Sequence, residues 1–137
     1  PIFDPATSLT ANTNYTVTFT STSGGCTATD VVFITVDPIP TVTLLTALPD
    51  PACVGNPITL TASASILAGE FYFEYNDGSG WINLATWSSI NPQTHNITSN
   101  TDFRVRVREG SGCTASPYST IIPVSVVTFS SSPIWHN

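Results

Sequence analysis

All three arginines of the sequence lie on one predicted strand. They are the only concentrated positive charge in the sequence. In the run DFRVRVRE they occupy alternate positions, Arg104, Arg106 and Arg108. Because successive side chains of a strand point to opposite faces, these guanidinium groups share one face. They could bind an anionic glycan, or they could form cross-strand ion pairs with Glu70 and Glu74, which alternate in the run EFYFEYN. We expect the ion pairs.

Two tryptophans and the same two glutamates raise the question of carbohydrate chemistry. Trp81 and Trp87 flank the run INLAT and could stack on sugar rings, although packing against other side chains is the commoner role. Glu70 and Glu74 share a strand face, as a glycosidase pair does, but the arginines offer them simpler partners. No other arrangement favours catalysis. We therefore expect no enzyme, no metal and no cofactor.

The elements that position these residues are short strands. Runs of alternating apolar and polar residues recur between Gly, Pro, Asn and Asp, and no run has the 3.6-residue period of a helix. Turn signals that recur every 8–12 residues favour a sandwich or a barrel. The sequence therefore predicts an all-β fold of antiparallel strands.

Composition narrows the class of protein further. The chain of 137 residues has a net charge of -6 and lacks lysine. A nucleic-acid partner would require clustered Lys and Arg, so we expect none. No apolar run approaches the ~18 residues of a membrane span, so we expect no membrane insertion. An acidic chain rich in Thr and Ser is typical of a secreted or cell-surface protein.

An internal repeat sets the predicted domain organisation. Residues 9–36 align with 97–126: Tyr15 and Phe103 lie 88 residues apart, and the turns SGGCTAT and GSGCTAS correspond. That period matches a small sandwich domain. We expect residues 39–127 to form a complete repeat and 1–37 to be the C-terminal half of a preceding one. Residues 38–41 form a proline-containing linker, and 128–137 are a linker or the start of a further repeat.

The repeat also guides the interpretation of the three cysteines. Cys53 precedes the second long strand of the complete repeat and Cys113 lies in its last turn, so we expect a Cys53–Cys113 disulfide. Cys26 occupies the position of Cys113 in the partial repeat, and its expected partner lies outside this segment. A free Cys26 thiol or a Cys26–Cys53 bridge remains the alternative. Metal binding is not expected because Cys-x-x-Cys is absent.

These motifs resemble a known repeat type. The runs CVGNPITLTA (53–62), FYFEYNDGSGW (71–81), NTDFRVRV (100–107) and GCTASPYSTIIPVSV (112–126) look like the immunoglobulin-like or PKD-like tandem repeats of giant Bacteroidota surface adhesins. The gliding-motility adhesins exported by the type IX system are among them. The resemblance covers the complete repeat, and its second half recurs in 9–36.

The resemblance implies an immunoglobulin-like sandwich in a tandem array, at the bacterial cell surface or in the extracellular space. The expected function is structural and adhesive: a segment that extends a large surface protein or filament from the cell. Its expected partners are neighbouring repeats, with surface glycans as further candidates. Two alternatives remain open, a carbohydrate-binding module and a self-assembling fibre subunit whose residues 1–37 are completed by a neighbouring molecule.

Overall fold

The computed structural model describes residues 13–20, 24 and 27–128, and it divides the chain into two compact units, Pro1–Pro38 and Ile39–Asn137. The first unit contains one antiparallel hairpin of strands β1 (Thr13–Thr20) and β2 (Thr27–Ile34). Val31 and Phe33 on β2 are 60% and 62% exposed, so apolar surface of this hairpin faces solvent.

The second unit contains two antiparallel sheets and one short parallel pair. One sheet has the order β3-β5-β8 and the other the order β10-β9-β6-β7. The strands are β3 (Val42–Leu48), β4 (Ala52–Cys53), β5 (Pro57–Ala64), β6 (Glu70–Asn76), β7 (Ile82–Asn83), β8 (Gln93–Asn96), β9 (Thr101–Arg108), β10 (Ile122–Val124) and β11 (Val126–Val127). Turns, bends and irregular segments connect these strands, and the described residues include no helix.

The hydrophobic core of the second unit draws on both sheets. β5 and β9 alternate strictly between buried and accessible positions, which is the pattern of strands with one face in the core. Ile58 and Leu60 come from the first sheet, and Phe73, Phe103 and Val105 from the second; each is at most 2% exposed. The architecture is all-β, and its packing is consistent with a β-sandwich.

The last described strand of this unit forms a parallel pair with its second strand. In what we call the terminal strand pair, β11 runs alongside β4, with Val126 opposite Ala52 and Val127 opposite Cys53. The amide of Ala52 donates to the Ser125 carbonyl at 2.9 Å. Asp50 Oδ1 accepts a further bond, from the Ser125 amide, at 2.9 Å.

The described part of this unit starts and stops at opposite ends of β5. Thr41 exchanges hydrogen bonds with Ser65, just beyond the C-terminal end of β5. The last described strand lies beside Cys53, just before the start of β5. β5 has eight residues, so the two ends lie about 25 Å apart along the strand direction.

The long strands lie where the alternation predicts them, and two short elements differ. The run WINLA (81–85) forms a strand only at Ile82–Asn83, and the run STIIPVSVV (119–127) forms two short strands separated at Ser125. β4 has only two residues, too few for a period to be visible. No described segment forms a helix long and apolar enough to cross a membrane.

Candidate functional site

The arginine stripe lies on the outward face of the β6–β9 pair. β9 buries Phe103 and Val107 and turns its arginines away from the core. The antiparallel register sets Glu74 opposite Arg104 and Glu70 opposite Arg108. Because directly opposed side chains of antiparallel strands lie within reach of each other, this register determines which charges can pair.

Two of the arginines form the expected ion pairs. Arg104 Nε donates to Glu74 Oε2 at 2.7 Å, and Arg108 Nε donates to Glu70 Oε2 at 2.7 Å. The first pair is the better shielded: the Glu74 side chain is 11% exposed, against 34% for Glu70. The preference for ion pairing over a free basic surface is therefore confirmed at Arg104 and Arg108.

Aromatic rings fill the spaces between the guanidinium groups. The Arg104 guanidinium carbon lies 3.9 Å from the ring centres of both Trp81 and Tyr118, and that of Arg108 lies 4.3 Å from a ring centre of Trp87. Such contacts are attractive because the cation meets the negative face of the ring. Tyr118 was not predicted for this site, since it lies in the segment between β9 and β10, where no alternation identifies its face.

Contacts with other side chains compete with the stacking of the two tryptophans on sugar rings. Arg104 occupies the space over Trp81, and Arg108 and Tyr72 both contact Trp87, with the Tyr72 ring 5.2 Å away and tilted by 41°. Both tryptophans are half-buried. Their rings pack within the protein rather than form one flat, open platform.

Arg106 differs from its two neighbours. The register sets Tyr72 opposite it, so no carboxylate faces it across the strands. Its Nε atom is buried and has no hydrogen-bond partner. The ring centres of Tyr72, Trp87 and Tyr118 lie 4.9 to 5.2 Å from its guanidinium carbon.

The interaction of Tyr118 with Glu74 ties this loop tyrosine to the ion pairs. Burial raises the pKa of Tyr118, and a hydrogen bond with the Glu74 carboxylate raises it further. The phenol is therefore protonated at neutral pH. Tyr118 and Arg104 thus both lie close to Glu74, and the register sets Glu74 opposite Arg104 rather than Arg106.

The structure contradicts the predicted Cys53–Cys113 disulfide. Both residues are free thiols, Cys53 half-buried and Cys113 exposed. Cys53 lies near Ile97, four residues before β9, because the Gly55 amide donates to the Ile97 carbonyl at 2.8 Å. Cys113 follows the other end of β9 and its amide donates to Gly110. The length of β9, about 25 Å, separates the two positions.

The error has a physical reason. A disulfide needs the two Cα atoms within about 7 Å, and sequence order does not reveal which end of a sandwich a turn occupies. Both cysteines lie beside strand termini, but at opposite ends of the second unit. Cys26, whose partner was expected outside the chain, lies outside the described residues.

His95 is the one described histidine and lies at the edge of the core. Its ring is 4.3 Å from the ring of Tyr75 and meets Phe103 edge-on at 5.9 Å. Partial burial lowers the pKa of His95, and the nearby Asp77 carboxylate offsets part of that decrease. The two ring contacts indicate a packing role for His95.

The free energy of unfolding should fall as the pH is lowered through the ordinary pKa of a histidine. The unfolded chain takes up a proton near pH 6.5, whereas folded His95 takes it up only at lower pH. The free energy of unfolding is therefore fully retained above pH 6.5, declines below it, and levels off below the folded pKa. Urea unfolding at pH 7.5 and pH 5 measures this difference. In His95→Phe the difference should shrink; an unchanged difference would exclude His95 as its source.

The described residues form no metal site, and the chain has no match among known families and curated proteins. Within residues 27–128, no group of three or more His, Cys, Asp or Glu side chains is placed to hold a metal ion. The loop NDGSG, residues 76–80, is a turn in which the side chains of Asn76 and Asp77 accept hydrogen bonds from backbone amides. The chain matches no protein-family model and no curated protein.

Proposed function

We propose that this chain is a structural, load-bearing repeat segment of a large secreted surface protein or filament. The observation that carries the proposal is the terminal strand pair, which joins the last described strand of the second unit in parallel to its second strand, β4. A force applied through the two ends of this unit pulls β4 and β11 in opposite directions along their length. Their hydrogen bonds are then loaded together rather than one after another.

The strand order supports an immunoglobulin-like topology for this unit. A three-stranded sheet packs against a sheet of order β10-β9-β6-β7, and the first strand region continues into β4 beside the last strand. Sandwiches of this class have that two-sheet division. We propose that residues 39–127 are one such repeat and that 1–37 are the second half of another.

The first unit supports a tandem arrangement. The described part of the first unit is a two-stranded hairpin, whereas Phe103 and Val105 on the corresponding β9 are buried beneath a facing sheet. A two-stranded hairpin is at best marginally stable alone and needs further strands to cover it. We propose that the first half of a preceding repeat covers it, or that strands of a neighbouring molecule do so in a self-assembling fibre.

Adhesion and a bacterial cell-surface location remain part of this proposal. They rest on the repeat motifs and on the acidic, lysine-free composition. A module that binds sugars by ring stacking is the weaker alternative, because contacts from Arg104, Arg108 and Tyr72 already engage Trp81 and Trp87.

Stretching a single molecule between its ends tests the load-bearing role. We expect the second unit to unfold in one event and to release the length of its chain, roughly 250–300 Å for residues 39–128 less the folded length. A gradual extension at low force, without a distinct unfolding event, would contradict the proposal.

A further inference from the structure

Arg106 is the one arginine of the outward face of β9 that faces no carboxylate across the β6–β9 pair. The three arginines share that face with Asp102, and β6 adds Glu70 and Glu74. Both glutamates are bound to the outer arginines at 2.7 Å. The middle arginine, Arg106, is therefore left without a bound carboxylate.

The Nε atom of the Arg106 side chain is buried without a hydrogen-bond partner. A guanidinium group that loses water without gaining an acceptor carries an energetic cost. Arg106 as a whole is only half-buried, and of its nitrogens only Nε is both buried and unpartnered. The terminal nitrogens therefore remain open to an acceptor from outside the protein.

We propose that Arg106 binds a carboxylate group of an acidic polysaccharide. The planar guanidinium presents two parallel N–H donors, a geometry that matches a carboxylate. Tyr72 and Trp87 border the guanidinium and offer ring edges and a hydroxyl to the neutral part of a sugar. Recognition would thus rest on the charge of Arg106, with the aromatic rings as its rim.

The flanking charges favour this ligand over a dense polyanion. Glu70 and Glu74 lie on β6 to either side of Tyr72, the residue opposite Arg106. A phosphate polymer would bring further negative charges against these carboxylates and against the acidic protein as a whole. A uronic acid instead carries one carboxylate per ring among neutral hydroxyl groups, so its charge can meet Arg106 alone.

Binding to a polyuronate tests the proposal on the full chain. The probe is alginate, with neutral dextran and polyglutamate as comparison polymers, measured by isothermal titration calorimetry at low salt. We expect alginate to bind, dextran to show no binding, and Arg106→Gln to weaken the alginate affinity about tenfold. An unchanged alginate affinity in Arg106→Gln, or equally tight binding of polyglutamate, would overturn the assignment.

A second pair of variants keeps the test informative if Arg106→Gln folds poorly. Glu70→Gln frees the guanidinium of Arg108 beside Arg106 and should strengthen alginate binding several-fold. Glu109→Gln changes the net charge equally but leaves both ion pairs intact. Equal gains in alginate affinity in Glu70→Gln and Glu109→Gln would show that net charge alone causes the effect. That result would refute a site at Arg106. The load-bearing role does not depend on either result.

Discussion

Replacement of Phe103 by Ala should lower the free energy of unfolding of the second unit by about 3–5 kcal/mol, as is usual for a fully buried Phe. Phe103 is 0% exposed, and its neighbours include His95 at the edge of the core. The loss combines the transfer free energy of the ring with the cavity that it leaves. Domains of this kind have about 5–15 kcal/mol in total, so a substantial fraction of the stability is at stake.

Phe33→Ala is the matched control for this change. The same side chain is removed from the hairpin of the first unit, where Phe33 is 62% exposed. We expect an effect within about 0.5 kcal/mol on the unfolding of the second unit, as for a surface substitution. Urea titration followed by tryptophan fluorescence measures both variants. Similar losses in both would show that Phe103 does not occupy the core.

Glu74→Gln should cost about 1–3 kcal/mol, the penalty of leaving a partly buried charged group without its partner. The variant keeps the size of the side chain but removes the charge that Arg104 meets at 2.7 Å. Arg104 would remain enclosed between Trp81 and Tyr118 with no counter-charge. Urea unfolding at low and high salt measures the loss and its screening.

The second ion pair provides an internal comparison for Glu74. Glu70 is 34% exposed, so Glu70→Gln should cost about 1 kcal/mol or less, as exposed pairs do. In the double variant Glu74→Gln/Arg104→Met both members of this ion pair are neutral, and most of the lost stability should return. Equal costs for Glu74→Gln and Glu70→Gln, with no recovery in the double variant, would contradict the account of a shielded ion pair.

The strands could be predicted because each depends on a local period, and the pairing of β6 with β9 because their alternating Glu and Arg side chains are complementary. In DFRVRVRE and EFYFEYN, alternation fixes which side chains leave the core. Once the two strands are neighbours, the charges of Glu70 and Glu74 select their partners. The confirmed pairs Arg104–Glu74 and Arg108–Glu70 follow from these two steps.

The remaining features depend on contacts distant in sequence, which no local period encodes. β4 has two residues, and its neighbour β11 lies more than seventy residues later in the chain. Tyr118 reaches the arginines from a segment without alternation. The disulfide prediction failed for the same reason, since the sequence around Cys53 and Cys113 does not reveal that they lie at opposite ends of the unit.

The terminal strand pair can be altered with little change in stability, because its neighbouring turn accepts proline. Asn56 donates to the Cys53 carbonyl at 3.1 Å, and Gly55 has a φ of 79°, as the third residue of a type II turn does. Val54 is the second residue of that turn, where proline is favoured. Val54→Pro removes the amide that donates to the Val127 carbonyl at 3.3 Å.

The unfolding force of Val54→Pro, measured in single molecules stretched between their ends, tests the load-bearing account most directly. Ser111→Pro is its control, at the second position of the Gly110–Cys113 turn at the other end of the unit. We expect Val54→Pro to unfold at a force lower by roughly a third and to keep its free energy of unfolding within about 1 kcal/mol. Ser111→Pro should keep the wild-type force. Equal forces in Val54→Pro and the wild type would contradict the claim that the terminal strand pair bears the load.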